Sequence, residues 1–194
     1  KFPLVPQNPK NVNVPWHERL LTVKAKIDGN LLTLHTTHIP PGSSNGWIKV
    51  EMIDGIVDHL IENKNEFPVV LCGDFNTPKF ESKEFGLVTF AQNLKKNSQP
   101  SNKKSFRNGL GVDWDKSERS LFEKLRNHKI LETFRQLNPT LFEAYSWSFS
   151  RKGKVFRHRF DHIFASDDLI AQQYQCLYPE ESLSDHLPIS ATFL

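Results

Sequence analysis

The motif Gly73-Asp74-Phe75-Asn76 places a carboxylate and an amide where an apolar run ends. A glycine lets the backbone turn sharply, so Asp74 and Asn76 can point to one side of the turn. The carboxylate could activate water or touch a metal ion, and the amide could donate to a phosphate oxygen. The same pattern is also typical of an Asx turn that only stabilises a loop.

A second motif near the C terminus joins an aspartate to a histidine. In extended backbone, the adjacent Asp185 and His186 point in opposite directions, so each would serve a different partner. We expect Asp161, from a separate extended segment, to orient the imidazole of His186, as carboxylates do in triads and around metal ligands. Two unrelated surface turns are the alternative.

Two further residues have an ordinary structural interpretation as well as a functional one. His38 ends a predicted strand, where a lone histidine usually serves as a hydrogen-bonded structural group. Trp147 could line a cleft or simply pack in the core. Both gain interest only if the fold brings them close to the two motifs above.

The elements that must position these residues follow from the hydrophobic pattern. Period-2 alternation predicts a hairpin through residues 19–38, with a turn at 28–30. Helical periodicity predicts a helix over residues 47–61, capped by Ser44 or Asn45. A run that is apolar on both faces, residues 68–72, predicts a central strand that ends at the first motif.

The rest of the pattern alternates between predicted loops, helices and strands. Residues 95–116 are polar and predict a long surface loop. Asp115 and Glu118 resemble a capping box for a helix through residues 120–127. Four more strands are predicted, over residues 130–134, 144–149, 160–165 and 188–194. This succession favours a layered α/β architecture, in which sites form just past strand ends.

Length and composition exclude several classes of protein. The chain has 194 residues, 38% of them hydrophobic, and a formal charge of +3. It is long enough to bury a core as one domain over 1–194, with residues 1–15 as an extended, proline-rich lead-in. The charge is too small to indicate nucleic-acid binding by itself. Cys72 and Cys176 do not form a disulfide framework.

No apolar run approaches the roughly 20 residues that a membrane-spanning helix needs. The N terminus has neither the apolar stretch nor the flanks of a signal peptide. The sequence therefore predicts a soluble chain. The compartment stays open, with the cytoplasm favoured.

Five motifs in order carry a resemblance to a known family: TTHIPPG, GDFNTP, YSW, RFDHIFAS and SDHLPI. Together they resemble the endonuclease/exonuclease/phosphatase superfamily, which includes deoxyribonuclease I, exonuclease III-type abasic endonucleases, and sphingomyelinase- and inositol-phosphatase-like enzymes. The resemblance runs from about residue 17 to residue 194. It implies a four-layer α/β sandwich with two packed mixed β-sheets. It also implies a divalent cation, Mg²⁺ or Mn²⁺, and phosphoester cleavage by an activated water.

The resemblance also implies roles for the motif residues. Asp74 would position or deprotonate the attacking water, and Asn76 would bind the phosphate. His186, held by Asp161, would contact the scissile phosphate and stabilise the charge that builds on its oxygens. Such groups are needed because an anionic phosphodiester repels a nucleophile.

Three more roles follow from the same resemblance. Asp185 would act on the metal side, directly or through water. His38 matches a phosphate-contacting or acid-side group, and Trp147 matches an aromatic wall of the substrate cleft.

The sequence departs from the family pattern at its beginning. Family members normally start with a strand that bears an asparagine and a unit that ends in a Gln-Glu pair, whose glutamate is the principal metal ligand. This chain starts after both, and Glu18 does not match that motif. We therefore expect an N-terminally incomplete domain, most simply a fragment of a longer enzyme, and weak or no turnover by this chain alone. A second chain that supplies the ligand, or a member that has lost catalysis, is the alternative.

The leading functional hypothesis is a metal-dependent phosphodiesterase that acts on nucleic acid, either an endonuclease or an exonuclease. Its support is a set of basic clusters that would suit a phosphate backbone, over residues 95–107, 151–154 and 157–159. Solvated surface loops are the alternative interpretation of these clusters. A small-molecule or phospholipid phosphoesterase, and a non-catalytic phosphate-binding module, are the competing functions.

Overall fold

The computed structural model describes residues 3–8, 11–63, 68–95, 99–177 and 184–194. The helices are α1 (Gly42–Asn45), α2 (Ile48–Asn63), α3 (Gly111–Asn127) and α4 (Thr133–Leu137). The strands are β1 (Leu4–Pro6), β2 (Leu20–Ile27), β3 (Asn30–His38), β4 (Val69–Asp74), β5 (Phe80–Ser82), β6 (Gly86–Val88), β7 (Gln92–Asn93), β8 (Ser101–Asn102), β9 (Ser105–Phe106), β10 (Gly109–Leu110), β11 (Ile130–Glu132), β12 (Trp147–Arg151), β13 (Lys154–His158), β14 (Asp161–Ser166), β15 (Ala171–Cys176) and β16 (Ile189–Phe193).

A six-stranded mixed sheet forms the centre of the fold, in the order β1-β2-β3-β4-β14-β11. Strands β3 and β4 are parallel, and the other neighbouring pairs are antiparallel. The predicted hairpin is confirmed as β2 and β3. The predicted central strand is confirmed as β4, since it is paired on both sides.

One face of this sheet is covered by α2 and α3, which also pack against each other. The core between these layers contains Ile53 and Leu121 from the helices and Leu71 and Phe164 from the sheet, all fully buried. The helical periodicity of residues 47–61 therefore reflects a buried face, as predicted. Among the described residues, no helix is both long and apolar enough to cross a bilayer.

Strands outside the large sheet pair as small two-stranded sheets. The hairpin β12–β13 is one, and the β15–β16 pair is another that packs against α4 and β14. A single bridge between Trp147 and His186 connects the hairpin to the segment before β16. The expected α/β sandwich is confirmed, with small separate sheets beside one large mixed sheet. Cys72 and Cys176 are free cysteines.

The prediction of one long loop over residues 95–116 is wrong for the described part. Short strands β8, β9 and β10 cross this region, and α3 begins at Gly111. Residues 96–98 lie outside the described residues. Asp115 and Glu118 lie within α3 and do not form a capping box at its start. Tertiary contacts explain their placement, because Asp115 accepts a hydrogen bond from the Thr89 hydroxyl at 2.7 Å.

Two other element boundaries differ from the sequence prediction. Ser44 and Asn45 lie within α1 and not directly before α2. Residues 130–134 divide between β11 and α4, because the Glu132 side chain accepts a hydrogen bond from the Arg135 backbone N–H and caps the helix. Within the lead-in, Leu4–Pro6 form β1, which pairs with β2.

Lys49 and Glu118 form a buried ion pair between α2 and α3. Lys49 is 1% exposed and Glu118 is 0% exposed. The Lys49 ammonium contacts Glu118 and also donates to the Asn76 carbonyl at 2.7 Å. Glu118 accepts two further hydrogen bonds, from the Trp114 indole and the Phe90 backbone N–H, each at 2.9 Å. Burial lowers the pKa of Lys49, and the charge of Glu118 opposes that shift.

Removing one charge of this pair would leave the other buried and unpaired. We expect Lys49→Met to lower the free energy of unfolding, measured in urea, by about 3–5 kcal/mol. The control is Asp58→Asn, because the Asp58–Lys124 pair also joins α2 to α3 but is 59% and 48% exposed. That change should cost less than about 1 kcal/mol. Equal losses would contradict the role of burial.

Gly73 allows β4 to end in close contact with β3. Its φ is 141°, and a Cβ at this position would lie 1.9 Å from the Thr37 carbonyl oxygen. Thr37 is also its partner in the parallel register. No side chain fits here unless the backbones of the two strands separate.

We expect Gly73→Ala to lower the free energy of unfolding by more than about 3 kcal/mol, since it adds a backbone clash to an unfavourable φ. Gly153→Ala is the matched control, because its φ is 73° but nothing lies within 4 Å of the added Cβ. The control should cost about 1 kcal/mol. A similar cost at both positions, measured by urea unfolding, would show that the contact with Thr37 does not matter.

Candidate active site

Three of the predicted site residues lie side by side at one edge of the large sheet. His38 ends β3, Asp74 ends β4 and Asp161 begins β14. The strand register pairs His38 with Asp74 and Asp74 with Asp161. Parallel pairing of β3 and β4 brings their carboxyl ends together, and antiparallel pairing brings the start of β14 to the same edge.

His186 reaches this row from the segment before β16. Its Nδ1 lies 2.8 Å from Asp161 Oδ2, which is the pairing expected from the sequence. Its Nε2 lies 4.0 Å from Asp74 Oδ2, and His38 Nε2 lies 3.7 Å from the same oxygen. Asp74 therefore has an imidazole on each side.

The turn after β4 holds the Asp74 carboxylate through Asn76. The Asn76 backbone N–H donates to Oδ1 at 2.9 Å, and its side-chain amide donates to Oδ2 at 3.0 Å. The amide also donates to the Ile39 carbonyl at 2.9 Å. Asn76 adopts a φ of 51°, which asparagine tolerates well. The motif is thus an Asx-type turn, and the carboxylate that it holds faces the cavity described below.

Burial raises the pKa of Asp74, and the neighbouring charge of Asp161 raises it further. The hydrogen bond from the Asn76 backbone and the two histidines act in the opposite direction. A carboxyl group with a raised pKa exchanges protons nearer to neutral pH than an ordinary aspartate does. Such groups are typical of sites that perform acid-base chemistry.

A cavity of about 540 Å³ opens beside this row of side chains. His38, Asp74 and His186 contribute to its lining on one side. Aromatic rings form another wall, where the parallel rings of His158 and Phe160 lie 4.8 Å apart. The cavity is large enough for part of a substrate next to the acid and histidine groups.

Trp147 lines the same cavity and contacts Asp185. Its indole N–H donates to Asp185 Oδ2 at 2.8 Å. Asp185 and His186 thus serve different partners, as expected for adjacent residues in extended backbone. The structure directs the Asp185 carboxylate to Trp147 and not to His186.

Among the described residues, one group of ligating side chains could hold a cation, namely Asp74, Asp161 and His186. Their ligand atoms all lie within 4.8 Å of one another, and all three side chains are partly buried. Two carboxylates so close together repel each other, and a cation would relieve that repulsion. The donor set therefore fits a divalent metal ion.

Several residues that support the site carry no motif in the sequence. Arg19 contacts His38 Nδ1, which fixes that ring nitrogen as an acceptor. Lys49 holds the carbonyl of Asn76. Arg19 faces His38 across the predicted hairpin, whereas Lys49 comes from α2, so only the tertiary structure could reveal its contact. Glu18 lies beside Arg19 in a short 3₁₀ turn, outside the group of possible metal ligands.

The structure places residues of the predicted basic clusters in different environments. Arg107 lines the cavity and donates to the Ser43 carbonyl. Arg159 is only 5% exposed and pairs with Glu81 and Glu132, at 2.6 and 2.7 Å. A buried, doubly paired guanidinium cannot bind a ligand at the surface, so the prediction is wrong for Arg159.

Two curated bacterial relatives match most of this chain. An exodeoxyribonuclease of Bacillus subtilis is 26% identical over 163 residues, covering 82% of this chain and 58% of the relative. Exodeoxyribonuclease III of Haemophilus influenzae is 25% identical over 199 residues, covering 93% of this chain and 68% of the relative. The chain thus spans about three fifths to two thirds of the length of these relatives.

Solved structures share the fold at lower sequence identity. D. rerio TDP2 in complex with a single-strand DNA product superposes with a TM-score of 0.56 at 16% identity, covering 90% of this chain and 61% of that one. The 3′ phosphatase NExo from Neisseria, bound to a product DNA hairpin, gives 0.55 at 17% identity, covering 89% and 64%.

The model of one family, the Endonuclease/Exonuclease/phosphatase family, matches residues 37–186. This match covers most of the chain, including the row of strand ends and the Asp185-His186 motif. The chain belongs to the Endonuclease/Exonuclease/phosphatase family.

Proposed function

We propose that this protein hydrolyses phosphodiester bonds of nucleic acid with a water activated at Asp74 and with a divalent cation, Mg²⁺ or Mn²⁺. The observation that carries the proposal is the contiguous array of Asp161, His186 and Asp74 beside a cavity with an aromatic wall. Family membership and two relatives named as exodeoxyribonucleases support the same reaction class.

In this proposal Asp74 accepts a proton from the attacking water. Its carboxylate lines the cavity between the imidazoles of His38 and His186, where an attacking water would be within reach. Asn76 holds the carboxylate through two hydrogen bonds, so little reorganisation is needed when the water attacks the phosphate.

His186 is proposed to donate a hydrogen bond to the phosphate from Nε2. The 2.8 Å contact of its Nδ1 with Asp161 orients the ring so that Nε2 points toward Asp74. His38 would assist from the other side of Asp74, with its Nδ1 engaged by Arg19. Donors on both sides would stabilise the charge that builds on the phosphate oxygens.

The cation would be held beside the Asp74 carboxylate, while Asp161 and His186, which belong to the same group of possible ligands, act on the phosphate in this proposal. When bound, it would compensate the charge of the carboxylates and of the phosphate. Asp185 is proposed to act on the metal side, directly or through water, from its position beside Trp147, whose indole N–H donates to Asp185 Oδ2.

Nucleic acid is the proposed substrate class. Two structural neighbours carry DNA products, a single strand in TDP2 and a hairpin in NExo. Arg107 and Trp147 line the cavity of this chain. The guanidinium of Arg107 would suit a phosphate, and the indole ring of Trp147 would suit a base or sugar. A phospholipid or small-molecule phosphoester has no comparable support among the described residues.

We expect the purified full-length protein to cleave DNA and the reporter bis(p-nitrophenyl) phosphate in Mg²⁺, and to lose both activities in EDTA. Asp74→Ala and His186→Ala should each lower turnover by at least about 100-fold, as expected for a positioned proton acceptor or transition-state donor. His128→Ala is the control and should leave turnover unchanged. His128 lies at the end of α3, where its Nδ1 contacts the Lys124 carbonyl, and it does not line the cavity.

Wild-type rates in either site variant would contradict the assigned roles, and full activity in EDTA would contradict the cation. Oligonucleotide binding without any hydrolysis would instead favour a non-catalytic phosphate-binding module. Parallel assays on abasic DNA, single-stranded DNA, RNA and sphingomyelin would identify the substrate class.

A further inference from the structure

The β12–β13 hairpin presents aromatic and basic side chains on a single face. Side chains alternate along each strand, so every second residue shares a face with its cross-strand partner. Three cross-strand pairs lie on one side, and we call their surface the hairpin face. These pairs are Trp147 with His158, Phe149 with Phe156, and Arg151 with Lys154.

The hairpin face runs outward from the candidate active site. Trp147 and His158 line the cavity beside His186. Phe149 and Phe156 follow, and they are 48% and 45% exposed. The rings of Trp147 and Phe149 are nearly parallel, with centroids 5.9 Å apart and an interplanar angle of 15°. The aromatic surface is therefore continuous from the cavity to solvent.

Every lysine, arginine, aspartate or glutamate position of the hairpin is basic. Residues 147–158 contain Arg151, Lys152, Lys154 and Arg157 but no aspartate or glutamate. Arg151 and Lys154 are exposed at the outer end of the hairpin face. Exposed aromatic rings next to cations, without acidic residues, complement a ligand that carries both flat rings and negative charges.

We infer that the hairpin face binds single-stranded nucleic acid, with bases stacked on Phe149 and Phe156 and phosphates near Arg151 and Lys154. The inference rests on the proposed function. It narrows the proposed substrate class from nucleic acid in general to unpaired strands or unpaired ends. In a duplex the flat faces of the bases are stacked on each other, so they cannot lie against these rings. The span from Trp147 to Arg151 is about 13 Å, enough for about four stacked nucleotides.

The test is fluorescence anisotropy with a labelled single-stranded oligonucleotide and with the duplex of the same sequence. Binding is measured in EDTA, so it does not depend on turnover. We expect Phe149→Ala combined with Phe156→Ala to raise the Kd for the single strand by about tenfold or more. The Kd for the duplex should change by less than about twofold, since duplex binding depends mainly on phosphate contacts.

The matched control is Val155→Ala, on the same hairpin. Val155 pairs with Ser150 on the opposite face and is 59% exposed, so the change removes a comparably exposed apolar group. It should leave the Kd for the single strand unchanged. A second test uses Arg151→Ala, which should reduce the slope of log K against log salt by about 0.7, as expected for one phosphate contact on a single strand.

Three outcomes would overturn the inference. The double phenylalanine variant could bind the single strand as tightly as the wild type, or lose affinity equally for single strand and duplex. Alternatively, the wild type could form a concentration-dependent dimer that binds no oligonucleotide, and the same two substitutions could abolish that dimer. The hairpin face would then be an interface between copies of this chain. If the wild type binds single strands selectively but hydrolyses no phosphodiester, the inference about the hairpin face is supported. Only the proposed reaction is then contradicted.

Discussion

The register between the ends of β3, β4 and β14 is the constraint on which the candidate site depends. It puts His38, Asp74 and Asp161 in one row at the edge of the sheet. That register requires β3 and β4 to approach closely at Gly73, where only a hydrogen atom fits against the Thr37 carbonyl. A displacement of either strand would separate the side chains that make up the candidate site.

The Asp74 side chain is held in place by hydrogen bonds, but its surroundings disfavour its ionised form. Asn76 holds both carboxylate oxygens, and Lys49 in turn holds the Asn76 carbonyl from α2. Burial and the charge of Asp161 make the ionised form of Asp74 less favourable. Lys49 thus links the turn that holds Asp74 to the buried ion pair between α2 and α3. Functional sites commonly store unfavourable interactions in this way.

Much of this arrangement could be predicted from the sequence, because its strongest signals are local. Period-2 alternation gave the β2–β3 hairpin, the apolar run gave β4, and the motifs gave Asp74, Asp161 and His186. The contacts of Lys49 and Arg159 could not be predicted, since each depends on residues far away in the chain. The predicted capping box is wrong for the same reason: Asp115 contacts Thr89 and Glu118 contacts Lys49, so neither side chain caps a helix start.

The central claim is that Asp161 and His186 act as one unit on the phosphate, and a double-mutant cycle tests it most directly. Turnover of bis(p-nitrophenyl) phosphate would be measured for Asp161→Asn, His186→Ala and the double variant. The account predicts that the double variant is within about twofold of the slower single variant, because Asp161 acts only through the imidazole. Losses that multiply in the double variant would show that the two residues act independently, contrary to this account.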